Sequence, residues 1–213
     1  GSGIIEIMAE MFLAGIIDED GVIDGSKSAL SPRVFENKRT HSYRLWETED
    51  GPDITVSQTD VRAIQMAKAA LYAGVKLLME KHGVDRVEKI SLAGAFGTFI
   101  DPKYALVLGL IPDCEIAGVQ AVGNAAGTGA RMALLNRDHR REIEHTVTNI
   151  EKIETALEPK FQEHFVNAMA FPNKVELFPR LEQEVTLPAK RQANSASEGE
   201  SAAPRRRGGR RRG

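Results

Sequence analysis

The residues best placed to do chemistry in this chain are glycines. Two glycine-rich turns lie within residues 90–130: Gly94, Ala95, Phe96 and Gly97, then Gly123, Asn124, Gly127 and Gly129. Each follows a short apolar run and leads into a helical pattern. Turns of this kind bring bare backbone N–H groups to a helix N-terminus, where a phosphate or a nucleotide can dock. Neither is a dinucleotide fingerprint, because the spacings are G-x-x-G and G-x-x-x-G-x-G rather than G-x-G-x-x-G. No G-K-[ST] supplies a phosphate-loop lysine, and neither G-x-S-x-G nor H-E-x-x-H occurs. His41, His82, His139, His145 and His164 are scattered, and Cys114 has no base beside it in sequence. The residues alone therefore point to nucleotide-binding turns without naming a reaction, a catalytic residue or a metal ligand.

The elements that must hold these turns can be read from periodicity. Apolar residues at Ile4, Ile5, Met8, Phe12 and Leu13 predict a helix ending at Gly15. Residues 18–53 are rich in Asp-Gly and Pro turns and predict loop, with short strands near Tyr43 and Trp46. A strand over residues 54–57 leads to a helix capped at Thr59 and running to Lys81. Val61, Ile64, Ala67, Leu71, Val75 and Leu78 form its expected core face, and Lys68 lies at the edge with its ammonium expected to reach water. Ile90, Leu92 and Ala93 read as a buried strand before the first turn. Asp101 caps a helix with Pro102 at its first position, predicted to run to Leu110. Residues 116–122 read as a second buried strand, and Asn124 caps the helix that follows, whose small residues leave one face nearly bare. Tight packing and a flat ligand both suit such a face. A charged helix over 137–145, a strand over 149–155 and a helix over 159–170 complete the pattern.

Composition narrows the class. With 213 residues, 42% of them hydrophobic, 6% aromatic and 19 glycines, a tightly turned α/β protein fits better than an all-β sandwich. One cysteine excludes both an internal disulfide and a four-cysteine iron–sulfur cluster held by this chain. It fits a cytoplasmic protein. No run approaches the roughly 18 apolar residues of a membrane span. The formal net charge of -2 hides an asymmetry, since from Lys190 onward eight Lys or Arg stand against two acids. From residue 188 the composition turns to Ala, Ser, Gly, Pro and Arg and predicts disorder. Arg205, Arg206, Arg207, Arg210, Arg211 and Arg212 could contact nucleic-acid phosphates, but no aromatic residue is interleaved for stacking. A solubilising tail is the favoured reading.

Several separated blocks together carry a resemblance: GSGIIEIMAEMFLAGIID, DVRAIQMAKAALYAGVKLLM, LAGAFGTFID, GLIP, VGNAAGTGARMALLN and FQEHFVNAMAFP. In this order they resemble the C-terminal part of the reductive activators of corrinoid proteins. These are ferredoxin-linked ATPases of the sugar kinase, heat-shock chaperone and actin superfamily. The resemblance implies ATP and Mg²⁺ in the intact protein, and a [2Fe–2S] cluster in an N-terminal domain not found here. It implies a corrinoid protein of a methyltransferase system as partner, reduced from Co(II) to Co(I), and a homodimer. It further implies that Gly94, Ala95, Phe96 and Gly97 form the adenosine motif. Gly123, Asn124, Gly127 and Gly129 resemble the last glycine turn, packed by that site, and Gly1, Ser2 and Gly3 the turn before the helix linking the lobes.

The D-x-G phosphate loop of that fold is missing, so the chain reads as a C-terminal fragment, inactive alone. The expected fold is α/β, a partial actin-like ATPase of ribonuclease H-like type, its nucleoside-binding half, with a disordered C-terminal tail. Residues 1–180 would be the domain portion and 181–213 the linker and tail. A non-catalytic nucleotide-binding or structural module, or a nucleic-acid-binding protein acting through the tail, are the alternatives.

Overall fold

The longest element is a helix whose two ends are both specified locally. In the computed structural model, which describes residues 2–189, it spans Gln58–His82 (α2). Ser57, not Thr59, is its N-cap: the Ser57 Oγ accepts from the Asp60 N–H at 3.3 Å and Asp60 Oδ2 accepts from the Ser57 N–H at 2.8 Å. This reciprocal pair satisfies two otherwise orphaned donors. At the other end, the N–H groups of Gly83 and Val84 bond back to the Glu80 and Met79 carbonyls at 3.0 Å.

The faces of α2 differ from the expectation. Val61, Gln65, Lys68, Ala69, Tyr72, Ala73 and Leu77 are buried, whereas Leu71 and Leu78 are each 50% exposed. Ala67 is exposed as well. The helix has apolar residues on both sides, so periodicity alone could not say which side meets the core. The side that does carries the polar groups able to bond a neighbouring segment.

Five further elements complete this core. Helix α1 (Gly3–Leu13) buries Ile5, Met8, Ala9, Met11 and Phe12, and the chain turns at Gly15 as expected. Residues 34–46 are not mostly loop, and the strand expected over residues 54–57 forms. They form an antiparallel sheet of β1 (Val34–Asn37), β2 (Thr40–Trp46) and β3 (Ile54–Ser57), in the order β1-β2-β3. Val34 and Val56 both lie opposite Tyr43 and are buried, and the buried Ser42 hydroxyl accepts from Asn37 Nδ2 at 2.9 Å. Helix α4 (Pro102–Val107) starts at Asp101, whose carboxylate accepts from the Lys103 N–H at 2.8 Å. It ends at Val107, three residues short of Leu110, and the chain turns at Gly109 (φ +66), where a Cβ would run into the Pro172 carbonyl. Leu106, Leu108 and Cys114 are fully buried around this bend.

The second part is built on β4 (Ile90–Ala93) and β5 (Val119–Gly123), a parallel pair. Helix α3 (Ala95–Thr98) follows β4; α5 (Ala125–Leu135) and α6 (Arg137–Thr148) follow β5. Residues 116–118 are a tight helical turn, so β5 starts later than expected. No strand forms over 149–155; that stretch has no ladder partner and ends in a short helical turn. Helices α7 (Phe161–Asn167) and α8 (Pro179–Glu184) return the chain to the core. The arginine-rich stretch lies outside the described residues, and so does all of the disorder expected from residue 188 except residues 188–189.

Candidate nucleotide site

The two glycine turns are brought together by the parallel ladder. Ile90 lies opposite Val119, Leu92 opposite Ala121 and, after a register shift, Ala93 opposite Gly123. Both turns therefore leave the same carboxyl edge of the sheet, the edge where open α/β sheets bind ligands. The Gly94 N–H donates to the Gly123 carbonyl at 2.7 Å, joining one turn directly to the other.

The glycines serve different ends. Gly94 (φ 99°, ψ 167°) and Gly123 (φ 70°) hold backbone conformations that side chains disfavour. A Cβ at Gly94, Gly123 or Gly129 would meet no atom within 4 Å, so space lies open in front of all three. Gly97 is buried, and a Cβ there would sit 3.2 Å from the Leu92 backbone carbon, which lets α3 close onto β4. At Gly127 a Cβ would lie 2.6 Å from Asn124 Nδ2, so this glycine makes room for the cap itself.

Asn124 caps α5 as its sequence position predicts: its Oδ1 accepts from the Gly127 N–H at 2.8 Å. One first-turn donor is thereby satisfied within the chain. That lowers what an anion gains at this helix start and favours an uncharged ring over a phosphate. In the first turn, the Gly94 carbonyl accepts from the Thr98 N–H at 3.1 Å and from Thr98 Oγ1 at 2.9 Å. Ala95 and Phe96 stand exposed on α3, Phe96 at 51%. The tight packing that the small residues of α5 could make is not formed: Ala125, Ala126 and Ala130 are exposed, and α5 has no buried residue.

Beyond the turns, a cleft of about 350 Å³ lies along α5 and the start of α6. It is lined by Thr128, Arg131, Met132, Leu135, Asn136 and His139. Arg131 and His139 were not legible as site residues, because their membership depends on how α6 folds back against α5.

Other candidate groups are structural. Asp60 and Asp101 cap helices. Cys114 is fully buried, and burial pushes its thiol above the usual range, reinforced by Asp113, which is the opposite of what a nucleophilic thiolate needs. Among the described residues no group of three or more His, Cys, Asp or Glu converges on one point. None of their helices is long and apolar enough to cross a membrane. Ser2 sits at the N-cap position of α1 without a side-chain cap bond, and Gly3 opens the helix; Gly1 lies outside the described residues.

Sequence reasoning missed Gln65 and Tyr72 on the buried face of α2, and misjudged Lys68 beside them, whose ammonium does not reach water as expected. Lys68 is 2% exposed, and burial holds its amine well below the usual lysine range. Its Nζ donates to the carbonyls of Ala170 and, at 2.7 Å, Pro172, and lies 5.1 Å from the centre of the Phe171 ring. The available signal was Lys68 itself, one turn beyond Gln65 on an otherwise apolar stripe.

Comparison with known proteins bears on the family and the fold. Residues 1–182 match the family described as the C-terminal domain of RACo, the ASKHA domain. The corrinoid activation enzyme RamQ of Eubacterium limosum is 37% identical over 185 residues, covering 82% of this chain and 31% of the relative. A solved structure, of a reductive activator for corrinoid, iron–sulfur protein, superposes with a TM-score of 0.71 at 32% identity, covering 81% of this chain and 28% of that one. The chain thus spans about a third of the length of the curated relative it matches. The fold is mixed α/β of the actin-like type. This chain belongs to the family of the C-terminal ASKHA domain of the corrinoid reductive activators.

Proposed function

We propose that this chain is the nucleoside-binding part of an ATP-dependent reductive activator of a corrinoid protein. The observation that carries the reading is the joined pair of glycine turns at one sheet edge. The bond from Gly94 to Gly123 fixes them together, and Gly94, Gly123 and Gly129 leave open space in front of the backbone. Residues 1–180 would form the portion of the ATPase domain that meets adenosine, and residues 181–213 a linker and tail. Gly94, Ala95, Phe96 and Gly97 would line one side of the nucleoside. Gly123, Asn124, Gly127 and Gly129 would line the other.

ATP with Mg²⁺, when bound, supplies the hydrolysis that drives an unfavourable reduction. This chain's residues hold the nucleoside and leave the phosphates to the rest of the longer protein. A [2Fe–2S] cluster does not fit here, since the single cysteine is buried and alone. In the intact protein a ferredoxin-type domain outside this chain would supply one electron to Co(II), giving Co(I) on the corrinoid protein of a methyltransferase system. The cellular setting would be the cytoplasm and the assembly a homodimer.

Calorimetry with ATP·Mg²⁺ and with adenosine tests the reading. The expected result is binding of both with similar affinity and no turnover, because only the nucleoside side is present. Gly94→Val should remove binding of both by filling the open space. Binding that survives Gly94→Val, or that requires the phosphates, would contradict it.

A further inference from the structure

The buried face of α2 holds more than apolar residues. Gln65, Lys68, Tyr72 and Lys76 recur at helical spacing, and each grips the same returning segment. Gln65 Nε2 donates to the Met169 carbonyl at 2.8 Å and to the Asp20 carbonyl at 2.9 Å. Lys68 Nζ takes the carbonyls of Ala170 and Pro172. The Tyr72 hydroxyl donates to Glu176 at 2.9 Å, and Lys76 pairs with the same carboxylate at 3.0 Å. The segment is also fixed to the turn after α1, through the Phe171 N–H to the Glu19 carbonyl at 2.8 Å.

The chain then carries this hold to the other part of the molecule. Phe178, 1% exposed, lies with its ring tilted 32° to that of Tyr72 at 6.4 Å between centres, and directly precedes α8. The Asp113 carboxylate accepts from the N–H groups of Arg180 and Leu181, each at 3.1 Å, which anchors the start of α8. From α8, Arg180 Nη1 donates to the Val87 carbonyl at 3.3 Å, three residues before β4. Glu184 Oε1 accepts from the Ile116 N–H at 3.1 Å, in the turn that leads into β5. The starts of the two strands are themselves pressed together, because a Cβ at Gly118 would run into the Glu88 carbonyl.

We propose that residues 169–184 form a strap that ties the buried face of α2 to the starts of β4 and β5, so that freeing the strap from α2 loosens both glycine turns. The path is a chain of hydrogen bonds and one ring contact, each naming its two atoms or rings. It requires no nucleotide, so its test is independent of the function proposed above. Where the turns hold a nucleoside, a partner that displaced the strap from α2 would weaken that hold.

Site-resolved amide hydrogen exchange on this chain tests the strap. In Lys68→Met, exchange should rise about tenfold at residues 90–94 and 119–123 as well as at 169–184, while β1–β3 keep their protection. The Gly94 amide, bonded to Gly123, is the most direct reporter. Faster exchange confined to 169–184 would overturn the proposal, because the strap would then carry nothing to the turns. If Lys68→Met loses protection throughout, Arg180→Gln decides. That substitution removes only the bond to Val87 and leaves the backbone bonds to Asp113 in place. Faster exchange at 90–94 and 119–123 supports the strap, and unchanged exchange there overturns it.

Discussion

The helices α1, α2 and α4 with the β1–β3 sheet, and the β4–β5 pair with α3, α5 and α6, are built on opposite plans. In the first region Met8, Ala9, Ile17, Val61, Ala69 and Leu106 are wholly buried, and buried polar groups such as Gln65, Lys68 and Ser42 are bonded to neighbours. In the second, α5 and α6 bury no residue and β4 alternates half-buried with exposed. Leu134, Leu135, Val147 and Ile150 stand well exposed. Parallel strands normally have both faces covered. The first region buries its apolar faces, whereas the second leaves backbone and apolar surface exposed. The glycine turns belong to the second, and the strap bonds to both regions.

The comparison can be broken most severely at Gly109. Alanine there meets the Pro172 carbonyl in a left-handed conformation, so Gly109→Ala should cost about 3 kcal/mol or more of stability. A urea titration reads this, and a near-neutral result would mean the bend is loosely held. Next is Gln65→Leu, which strips the Met169 and Asp20 carbonyls of their donor. A loss of about 1–2 kcal/mol is expected for two part-buried acceptors left without this donor. In contrast, Leu134→Ser with Leu135→Ser should leave the melting midpoint almost unmoved, within about 0.5 kcal/mol per site. The pair should reduce self-association in sedimentation, since it removes exposed apolar surface. A large destabilisation would show that the second region has a core of its own.

The smallest effect is a slope with pH. The Lys68 amine in the fold titrates well below lysine's usual value, because burial disfavours its charge. Between the folded and unfolded values the unfolded chain binds the extra proton, so stability rises with pH across that window, up to about pH 10.4. Lys68→Met should flatten this rise relative to the parent chain in paired urea titrations. An identical slope in both would mean Lys68 keeps its charge in the fold.

Much of this division was legible in the residues. Asp101 and Asn124 read as caps because Asp-Pro and Gly-Asn sit at the edge of apolar runs, and both cap bonds form. The position of β4 and of its turn read correctly because Ile90, Leu92 and the paired glycines are local signals, but β4 and β5 are not the buried strands expected: Ala93, Ala121 and Val122 are exposed. Of the β1–β3 sheet, β3 and the end of β2 were legible, but β1 and the start of β2 were not, because Thr40, His41 and Ser42 lack the apolar alternation of a strand. The core face of α2 was misassigned for a related reason. Leu71 and Leu78 are apolar but exposed, and Lys68 is a lysine but buried, since carbonyls 102 and 104 residues away in sequence are what make its site. Local patterns place the turns, while contacts between distant segments decide which side of a helix is inside.

The central claim is that the two glycine turns form one nucleoside surface. Amide chemical-shift mapping with adenosine titrated into this chain tests it most directly. The account predicts shifts concentrated at Gly94, Ala95, Phe96, Gly97, Gly123, Asn124, Gly127 and Gly129, saturating together with a single dissociation constant. Saturating shifts elsewhere with these amides unmoved, or none at any adenosine concentration, would contradict it.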